Sequence, residues 1–293
     1  MTPPEISVAT WRQLWRETSD KVADPVETRW LLEEASGLDA SDLLRDLDQS
    51  PDLASIARLG RLLERRLSGE PLQHVLGHWG FRTLDVVVDS RALVPRPETE
   101  LVVEFALFEL DRLAFAHSDG ELWAADLGTG SGVIALSLVA ERDTVRVVAT
   151  DCDQAALELA ATNLSALSSD VAERVQLVEG DWYRALPAGL RGRLGLVVSN
   201  PPYLAEREWA GLDANVRDFD PFGALVAGPS GLEAIEAVVT GAPAVLCSDG
   251  SLVVEIAPDQ AKEALELASD AGYSTARVED DLVGRPRVLV ARR

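Results

Sequence analysis

A glycine-rich run between an apolar segment and a helical segment is the first feature that could do chemistry. It starts at Asp126 and contains the turn residues Gly128, Thr129, Gly130, Ser131 and Gly132. Glycines at a strand-to-helix turn let the backbone approach a ligand and present helix N-terminal amides to it. A dinucleotide site favours Gly-x-Gly-x-x-Gly, whereas this run is Gly-x-Gly-x-Gly behind a carboxylate. The run predicts a ligand-binding turn of another kind, and a tight turn without a ligand is the alternative.

Acidic residues after the next two strand-like segments favour a nucleoside ligand. Asp151 ends the segment that follows the turn, where a carboxylate can hold both ribose hydroxyls. Asp181 and Trp182 follow the third segment and are expected at the same edge, where they could flank an adenine by hydrogen bonding and stacking. Packing alone explains Trp182 nearly as well.

A second motif, Asn200-Pro201-Pro202-Tyr203, follows Ser199 at the end of a fourth strand-like segment. Two prolines cannot continue a central ladder, so the strand must stop and leave the Asn200 side chain and the Pro201 carbonyl in the crevice. Both offer acceptor oxygens, and two acceptors can hold both hydrogens of one planar NH2 group. Tyr203 adds a flat face. The motif predicts a site for a carboxamide or an exocyclic amine, with a simple Pro-Pro turn as the alternative.

Strands that alternate with helices are expected to position these residues. Such alternation indicates βαβ units and a mostly parallel sheet, so the fold class is α/β. In open sheets of this kind the carboxyl ends of the strands form the ligand crevice. The predicted strands are 122–127, 145–150, 175–179, 196–199, 252–256 and 287–291, and the predicted helices are 133–141, 154–164 and 260–271.

Residues 1 to about 70 have helical periodicity and no strand signal. Asp24-Pro25 predicts a helix start, and Gly37 predicts its end. Asp52 starts another helix, for which we expect one buried face, made of Leu53, Ile56, Leu63 and Leu67. The tryptophans in this region, Trp11, Trp15 and Trp30, are expected in a small helical core.

Two short β-rich runs between Trp79 and Val94 predict a hairpin that links two domains. The chain length of 293 residues is compatible with two domains. The N-terminal region would then be one helical domain, and the alternating strands and helices would form the other.

The charge of the chain limits its partners. Lys+Arg 27 against Asp+Glu 49 gives a net charge of −22. So acidic a surface repels phosphate backbones, which makes duplex DNA a poor candidate for the main partner. No apolar run approaches the ~20 residues that span a bilayer, and Met1–Thr10 lacks the features of a signal peptide. We expect a soluble cytoplasmic protein that does not bind membranes.

The cysteines and histidines are few and scattered. Cys152 and Cys247 are expected to be core thiols in a reducing compartment. His74, His78 and His117 are isolated, which favours structural over catalytic roles. No Cys/His cluster has metal-ligand spacing, so no metal is expected.

The glycine turn, Asp151 and Asn200–Tyr203 together resemble the class I S-adenosylmethionine-dependent methyltransferases that act on planar NH2 nitrogens. Asn-Pro-Pro-Tyr is shared between adenine-N6 and glutamine-N5 enzymes, so it indicates the acceptor chemistry but not the substrate. The upstream segments Glu70–Gly77 and Val94–Glu100 closely resemble the peptide-chain release factor glutamine methyltransferases. Downstream segments also fit that family, namely Asp220-Pro221, Ala224-Leu225, Gly231-Leu232, Glu255-Ile256 with Gln260, and Asp281–Arg287.

The resemblance implies an N-terminal helical domain at 1–75 that recognises the release factor, a β-hairpin linker at 76–95, and a methyltransferase domain at 96–293. That last domain would have a Rossmann-like, seven-stranded, mostly parallel sheet. The implied methyl donor is S-adenosyl-L-methionine, and the implied product is S-adenosyl-L-homocysteine. The implied acceptor is the side-chain N5 of the glutamine in the Gly-Gly-Gln motif of bacterial translation release factors.

On this reading, two sets of residues share the chemistry. The cofactor would be held by Gly128 to Gly132, Asp151, Asp181, Trp182 and Asn200, and the glutamine by Arg96, Asn200, Pro201, Pro202 and Tyr203. Asn200 and Pro201 would be the catalytic residues. Arg96 lies between two prolines, and both contact with the release factor and bracing of the hairpin stay open for it. The chain departs from the family pattern at Ala257 (usually Gly), His74 (commonly Tyr or Phe) and Asp220 (more often Glu), which concerns the shape of the pocket rather than the reaction.

Other functions stay open on the sequence alone. A glutamine methyltransferase of a ribosomal protein would use the same Asn200 site. A nucleic-acid adenine-N6 methyltransferase would need a basic face, and a cofactor-binding module without catalysis would not need an intact Asn200–Tyr203 motif.

Arg285 and Arg287 are expected at the surface or in salt bridges, and the chain is expected to be a monomer.

Overall fold

The computed structural model describes residues 9–116 and 121–293. Their contacts divide the chain into two units, Met1–Gly77 and His78–Arg293. Most of the expected hairpin linker at 76–95 therefore belongs to the second unit. His117 and residues 1–8 of the N-terminal segment lie outside the described residues.

The described part of the first unit is helical. Its helices are α1 (Trp11–Val22), α2 (Pro25–Ser36), α3 (Ala40–Arg45), α4 (Leu53–Leu67) and α5 (Leu72–Leu76). The Asp24 carboxylate accepts hydrogen bonds from two amides of the first turn of α2, and Asp52 accepts one from Ser55 at the start of α4. Gly37 ends α2 with a φ of +68°, a value that favours glycine. The predicted helix boundaries are confirmed.

The core of the first unit is made of leucines from α2, α3 and α4, with Trp11 buried among them. Trp15 and Trp30 pack against this core as expected. The predicted buried face of α4 is wrong at both ends, because the side chains of Leu53 and Leu67 are 84% and 55% exposed. Periodicity identifies the face of a helix but not the length of that face that neighbouring helices cover.

The second unit opens with the predicted hairpin. Strand β1 (His78–Phe81) pairs antiparallel with β2 (Leu84–Val87), and Phe81 and Val86 are buried in the core of this unit. The hairpin is followed by α6 (Pro97–Ala116), a helix that the sequence analysis did not anticipate. Buried apolar residues occur around much of α6, which hides the amphipathic period.

The described residues of the second unit form a seven-stranded sheet in the order β10-β11-β9-β6-β3-β4-β5. Its strands are β3 (Leu122–Leu127), β4 (Val145–Asp151), β5 (Val175–Glu179), β6 (Leu194–Ser199), β9 (Leu246–Glu255), β10 (Thr275–Asp280) and β11 (Pro286–Arg292). Strand β11 runs antiparallel to β9 and β10, whereas the other neighbours are parallel. The prediction of an α/β fold with a mostly parallel sheet is confirmed.

Helices cover the sheet and short elements lie near its carboxyl edge. The helices are α7 (Val133–Glu141), α8 (Gln154–Leu164), α9 (Ser169–Ala172), α10 (Ala214–Arg217), α11 (Phe222–Leu225), α12 (Glu233–Gly241) and α13 (Ala261–Asp270), and the short strands β7 (Leu204–Ala205) and β8 (Val226–Gly228) pair with each other. Strand β10 was missed because it is a half-exposed edge strand with mixed polarity. No helix within residues 9–116 and 121–293 combines the length and the hydropathy that a membrane span requires.

Candidate active site

The glycine turn lies between β3 and α7, as its position in the sequence predicts. Gly128, Gly130 and Gly132 have φ angles of +71°, +56° and +88°, which side chains disfavour. A Cβ atom on Gly132 would lie 3.3 Å from the Cβ of Ala160. Glycine at this position therefore allows the start of α7 to pack closely against α8.

Asp126 lies beneath this turn and is fully buried. Its Oδ2 accepts hydrogen bonds from the Thr129 hydroxyl at 2.6 Å and from the Ala135 amide at 3.1 Å. Burial raises the pKa of Asp126 to about 7, although these two hydrogen bonds oppose the shift. Asp126 shapes the turn from below rather than facing a ligand.

Asp151, at the end of β4, lies beside the turn. Its Oδ2 accepts the Gly130 amide at 2.9 Å, and its Oδ1 accepts the Asp153 amide at 3.0 Å. Burial raises the pKa of this carboxyl, although the backbone donors lower it. Since each carboxylate oxygen has a second lone pair, Asp151 can still accept hydrogen bonds from two hydroxyls of a ligand.

Trp182 closes the opposite side of the turn. A Cβ atom on Gly128 would lie 3.5 Å from the Trp182 ring, and Trp182 itself has a φ of +44°. Asp181 and Cys152 lie on the same wall. The prediction that Cys152 is a core thiol is wrong, because this residue is exposed just beyond the end of β4. Cys247 is half-buried.

Asn200 follows β6 and is tied to two distant residues. Its Nδ2 donates a hydrogen bond to the Thr99 hydroxyl at 3.1 Å, and that hydroxyl donates to Glu255 Oε2 at 2.7 Å. Burial raises the pKa of Glu255 to about 7, whereas the bond from Thr99 lowers it. Sequence reasoning missed the roles of Thr99 and Glu255, although both residues lie in segments that carry the family resemblance.

The rest of the Asn200–Tyr203 motif divides between the cavity and the core. Pro202 lines the cavity with Asn200, while Pro201 is buried. Tyr203 packs against the apolar core, and its carbonyl accepts a hydrogen bond from Gln260 at 3.0 Å. Burial raises the pKa of the Tyr203 hydroxyl.

Arg96 lines the cavity and holds a neighbouring segment in place. Its Nη2 donates to Oδ2 of the buried Asp220 at 2.9 Å. Pro221, which follows Asp220, lines the cavity as well. Arg96 thus braces the 220–224 segment, an arrangement that the sequence analysis did not foresee.

The expectation for the two C-terminal arginines is confirmed for one of them. Arg285 pairs with Asp281 at 2.7 Å and with Glu98 at 3.2 Å. Arg287 is not a surface residue, because its side chain is buried and donates to the Ile256 carbonyl at 3.3 Å. Arg287 lies at the start of β11, next to the carboxyl end of β9, and its carbonyl accepts a hydrogen bond from the Ile256 amide at 2.9 Å.

These residues surround one cavity of about 230 Å³ at the carboxyl edge of the sheet. It brings together the turn residues 128–131, Asp151, Asp181–Trp182 and Asn200, with Arg91–Arg96 after the hairpin as a further wall. The carboxylates of Asp151 and Asp181 suit a cationic ligand, while Trp182 and the glycine turn suit a flat heterocycle. The residues therefore fit a sulfonium nucleoside. Gly132 is not on the cavity wall, because it serves the packing of α7.

Among the residues that the structure describes, no histidine lines this cavity. His74 is buried in the first unit, and His78 lies 2.9 Å from Asp85 in the hairpin. Over residues 9–116 and 121–293, no three His, Cys, Asp or Glu side chains are grouped so as to hold a metal ion.

Comparisons with known proteins agree with the fold. A family model described as "PrmC N-terminal domain" matches residues 17–77, and one described as "Methyltransferase small domain" matches residues 113–214. The hMettl16 catalytic domain, solved in complex with the MAT2A 3′UTR hairpin 6, has a TM-score of 0.53 and 15% identity, over 81% of this chain and 80% of that chain. Fold and site together define a class I methyltransferase.

Two relatives identify the family within this class. The release factor glutamine methyltransferase of Xylella fastidiosa (strain 9a5c) is 43% identical over 79% of each chain. That of Nitratidesulfovibrio vulgaris (strain Hildenborough) is 36% identical over 100% of this chain and 98% of the relative. The chain belongs to the release factor glutamine methyltransferase family.

Proposed function

We propose that this chain methylates the side-chain N5 of the glutamine in the Gly-Gly-Gln motif of bacterial release factors, with S-adenosyl-L-methionine as the methyl donor. The observation that carries the proposal is the position of Asn200 in the same cavity as the glycine turn and Asp151. On this proposal, Asn200 is the acceptor for a primary amide, and the glycine turn and Asp151 bind the nucleoside beside it. Family membership over nearly the full chain supports the same function.

We call the part of the cavity around Asn200 the acceptor side, because it is proposed to bind the methyl acceptor. An amide nitrogen is a weak nucleophile, since its lone pair is delocalised into the carbonyl. Asn200 Oδ1 and the Pro201 carbonyl are proposed to accept hydrogen bonds from the two N–H groups of the glutamine amide. Such bonds favour a more pyramidal, electron-rich nitrogen, and they strengthen as positive charge develops on it. After transfer the nitrogen is acidic, so it can release its proton to water without a dedicated base.

We call the glycine turn, Asp151, Asp181 and Trp182 the donor side, because they are proposed to bind and orient the methyl donor. Asp151 would hold the ribose hydroxyls, and Trp182 with Asp181 would flank the adenine. S-adenosyl-L-methionine supplies a methyl group on a sulfonium, and the product is S-adenosyl-L-homocysteine. Holding both reactants in one cavity removes much of the entropic cost of their encounter.

The test is a transfer assay with methyl-labelled cofactor. Purified protein would be offered a release factor, the same factor with its Gly-Gly-Gln glutamine replaced, a ribosomal-protein mixture, and DNA. We expect label on the intact factor alone, and mass spectrometry should locate it on the glutamine. Equal label on the replaced factor would contradict the proposal, as would label mainly on ribosomal protein or DNA.

We propose that the first unit recognises the release factor. It carries exposed leucines outside its core, Leu44 and Leu53 among them. Such apolar side chains are available to a protein partner. Replacing both with serine should raise the KM for the release factor several-fold and leave the cofactor affinity unchanged. An unchanged KM would contradict this role.

We further propose that the enzyme acts as a monomer in the cytoplasm and does not bind DNA directly. The net charge of −22 supports the last point, because phosphate binding requires basic surface. Release factors are translation proteins, which supports the location. Analytical ultracentrifugation should give a mass near 31.6 kDa, and a mass of twice that value would contradict the monomer.

A further inference from the structure

We infer that Thr99 and Glu255 are positioning residues that fix the orientation of the Asn200 side-chain amide. The inference deepens the proposed function and rests on it, since it concerns how Asn200 offers an acceptor to the substrate. The three side chains form a continuous hydrogen-bonded chain from Glu255 through Thr99 to Asn200. Glu255 bonds to Thr99, and Thr99, which also lines the cavity, bonds to Asn200, so we assign both residues a role that acts through Asn200.

The donor and acceptor in each of these hydrogen bonds follow from counting protons. An ionised carboxylate can only accept hydrogen bonds, so the single hydroxyl proton of Thr99 must go to Glu255. The Thr99 oxygen can then only accept from Asn200. This requires the Nδ2 end of the Asn200 amide to face Thr99, and it leaves Oδ1 as the end available to the cavity.

Orientation matters because the two ends of an asparagine amide are similar in shape and opposite in hydrogen bonding. With Oδ1 toward the cavity, Asn200 can accept a hydrogen bond from an N–H group of the glutamine amide. With Nδ2 toward the cavity, two NH2 groups would meet donor to donor. The Asn200 backbone alone does not choose between these states, so the choice falls to Thr99.

Burial makes the choice strong. Thr99 and Glu255 are 2% and 1% exposed, so bulk water does not substitute for their hydrogen bonds. The strand register brings Glu255 close to Asn200, because β6 and β9 are parallel neighbours with Ser199 opposite Val254. Helix α6 places Thr99 between them. Three separate parts of the chain thus converge on one amide.

The protonation state of Glu255 decides whether the hydrogen bonds from Asn200 through Thr99 to Glu255 can run in only one direction. A neutral Glu255 can donate to Thr99, which frees the Thr99 proton for Asn200 Oδ1 and permits the reversed amide. The groups that act on Glu255 are Thr99, Arg287 of β11, Glu98 of α6 and Arg96. Burial sets its pKa to about 7, with Thr99 and the two arginines favouring the ionised form and Glu98 opposing it. Ionisation should therefore occur within the working pH range.

The first test replaces the Thr99 hydroxyl. Thr99→Val keeps the shape but leaves the partly buried Asn200 N–H without its Thr99 acceptor in the active orientation, so kcat should fall about tenfold. Thr99→Ser keeps the hydroxyl and should stay within about twofold of the wild type. Thr144→Val, at an exposed threonine away from the cavity, is the matched control. Cofactor affinity should not change in any of the three. A Thr99→Val enzyme with normal kcat, or a Thr99→Ser enzyme equally impaired, would overturn the inference.

The second test uses pH. The wild-type kcat should rise about two- to fivefold as pH increases through about 7, the pKa of Glu255, because ionisation removes the reversed amide. Glu255→Gln cannot ionise, so its kcat should stay near the low-pH value of the wild type at every pH. Glu236→Gln, at an exposed glutamate, should keep the wild-type profile. A Glu255→Gln enzyme that retains the rise would overturn the inference.

A third measurement needs neither a variant nor activity. Carbon-13 NMR of the Glu255 carboxyl in the wild-type protein should show ionisation with a midpoint near pH 7. A carboxyl that stays protonated up to pH 9 would overturn the inference, because a neutral Glu255 permits the reversed amide. Failure of the proposed function is distinguishable, because the wild type would then leave the release-factor glutamine unlabelled while this titration stays measurable.

Discussion

The two sides of the cavity are built in different ways. On the donor side, the turn residues 128–131 present mainly backbone, and Asp151 braces the turn through the Gly130 amide, 21 residues away in sequence. On the acceptor side, Asn200 bonds to Thr99, 101 residues away in sequence, and Thr99 bonds to Glu255, a further 156 residues along the chain from Thr99. Substitutions that change backbone conformation should therefore disturb the donor side most, whereas substitutions that change side-chain polarity should disturb the acceptor side most.

Each side also rests on a buried carboxyl with a pKa of about 7. Asp126 supports the donor side and Glu255 supports the acceptor side, and burial is the main cause in both. Asp126 receives its hydrogen bonds from its own turn and from the start of α7. Glu255 is linked through Thr99 to a residue of the cavity wall. A buried carboxyl thus supports the local shape of the turn on one side and, on the proposed role of Asn200, the polarity offered to the substrate on the other.

The largest effect is expected from Asn200→Ala. Loss of a hydrogen-bond acceptor that acts in the transition state should lower kcat about 10²–10³-fold, or about 2.7–4 kcal/mol. Cofactor affinity should change much less, because the donor side is intact. Steady-state kinetics with a release factor and calorimetric titration with the cofactor would measure both. Asn215→Ala, at an exposed asparagine of α10, is the control, and near-normal turnover of Asn200→Ala would exclude the amide clamp.

Asp151→Ala should have the reverse signature and a smaller effect. Hydrogen bonds to a charged group contribute about 1.5–3 kcal/mol, so cofactor affinity should fall about 10- to 100-fold. At saturating cofactor, kcat should recover much of its normal value. Isothermal titration calorimetry measures the affinity, with Asp143→Ala at an exposed aspartate as the control. An unchanged Kd would count against the ribose role.

Asp126→Asn should have the smallest effect on activity, because Asp126 does not line the cavity, and its main effect should be on stability. The carboxyl has a pKa of 3.8 as a free group and about 7 in the fold. The folded state therefore binds the proton more tightly, and the contribution of Asp126 to stability falls as pH rises from about 4 to about 7. Relative to the wild type, the variant should gain stability across that window, on the order of 2–4 °C in Tm for each kcal/mol.

Thermal unfolding followed by circular dichroism at pH 4, 5.5, 7 and 8 would measure this difference. Above about pH 7 the difference should level off, because Asp126 is then ionised in both states. Asp143→Asn should stay parallel to the wild type. If the curves of Asp126→Asn and the wild type were also parallel, burial of this carboxyl would not control its titration.

The same contrast explains how much could be predicted from sequence. The turn 128–132, Asp151 and Asn200 lie at the ends of apolar strands, and parallel pairing brings such ends to one edge. That rule is general, so these residues and the α/β fold were predictable. The family resemblance added the seventh strand and the substrate, which periodicity alone could not supply.

Long-range side-chain contacts could not be predicted in this way. The pairing of Thr99 with Glu255 spans 156 residues, and that of Arg96 with Asp220 spans 124. Such contacts depend on how a helix packs on a sheet, which no local pattern encodes. The exposure of Leu53 and the burial of Arg287 were misjudged for the same reason, since both depend on distant neighbours.

Asn163 of α8 joins the hairpin to the glycine turn. This buried side chain exchanges hydrogen bonds with the amide and carbonyl of Val87 in β2, and it also donates to the Ser131 carbonyl. The hairpin and the glycine turn are thus clamped to one helix by the protein itself. Because these bonds join protein groups only, the attachment of the glycine turn to β2 and α8 does not depend on a ligand.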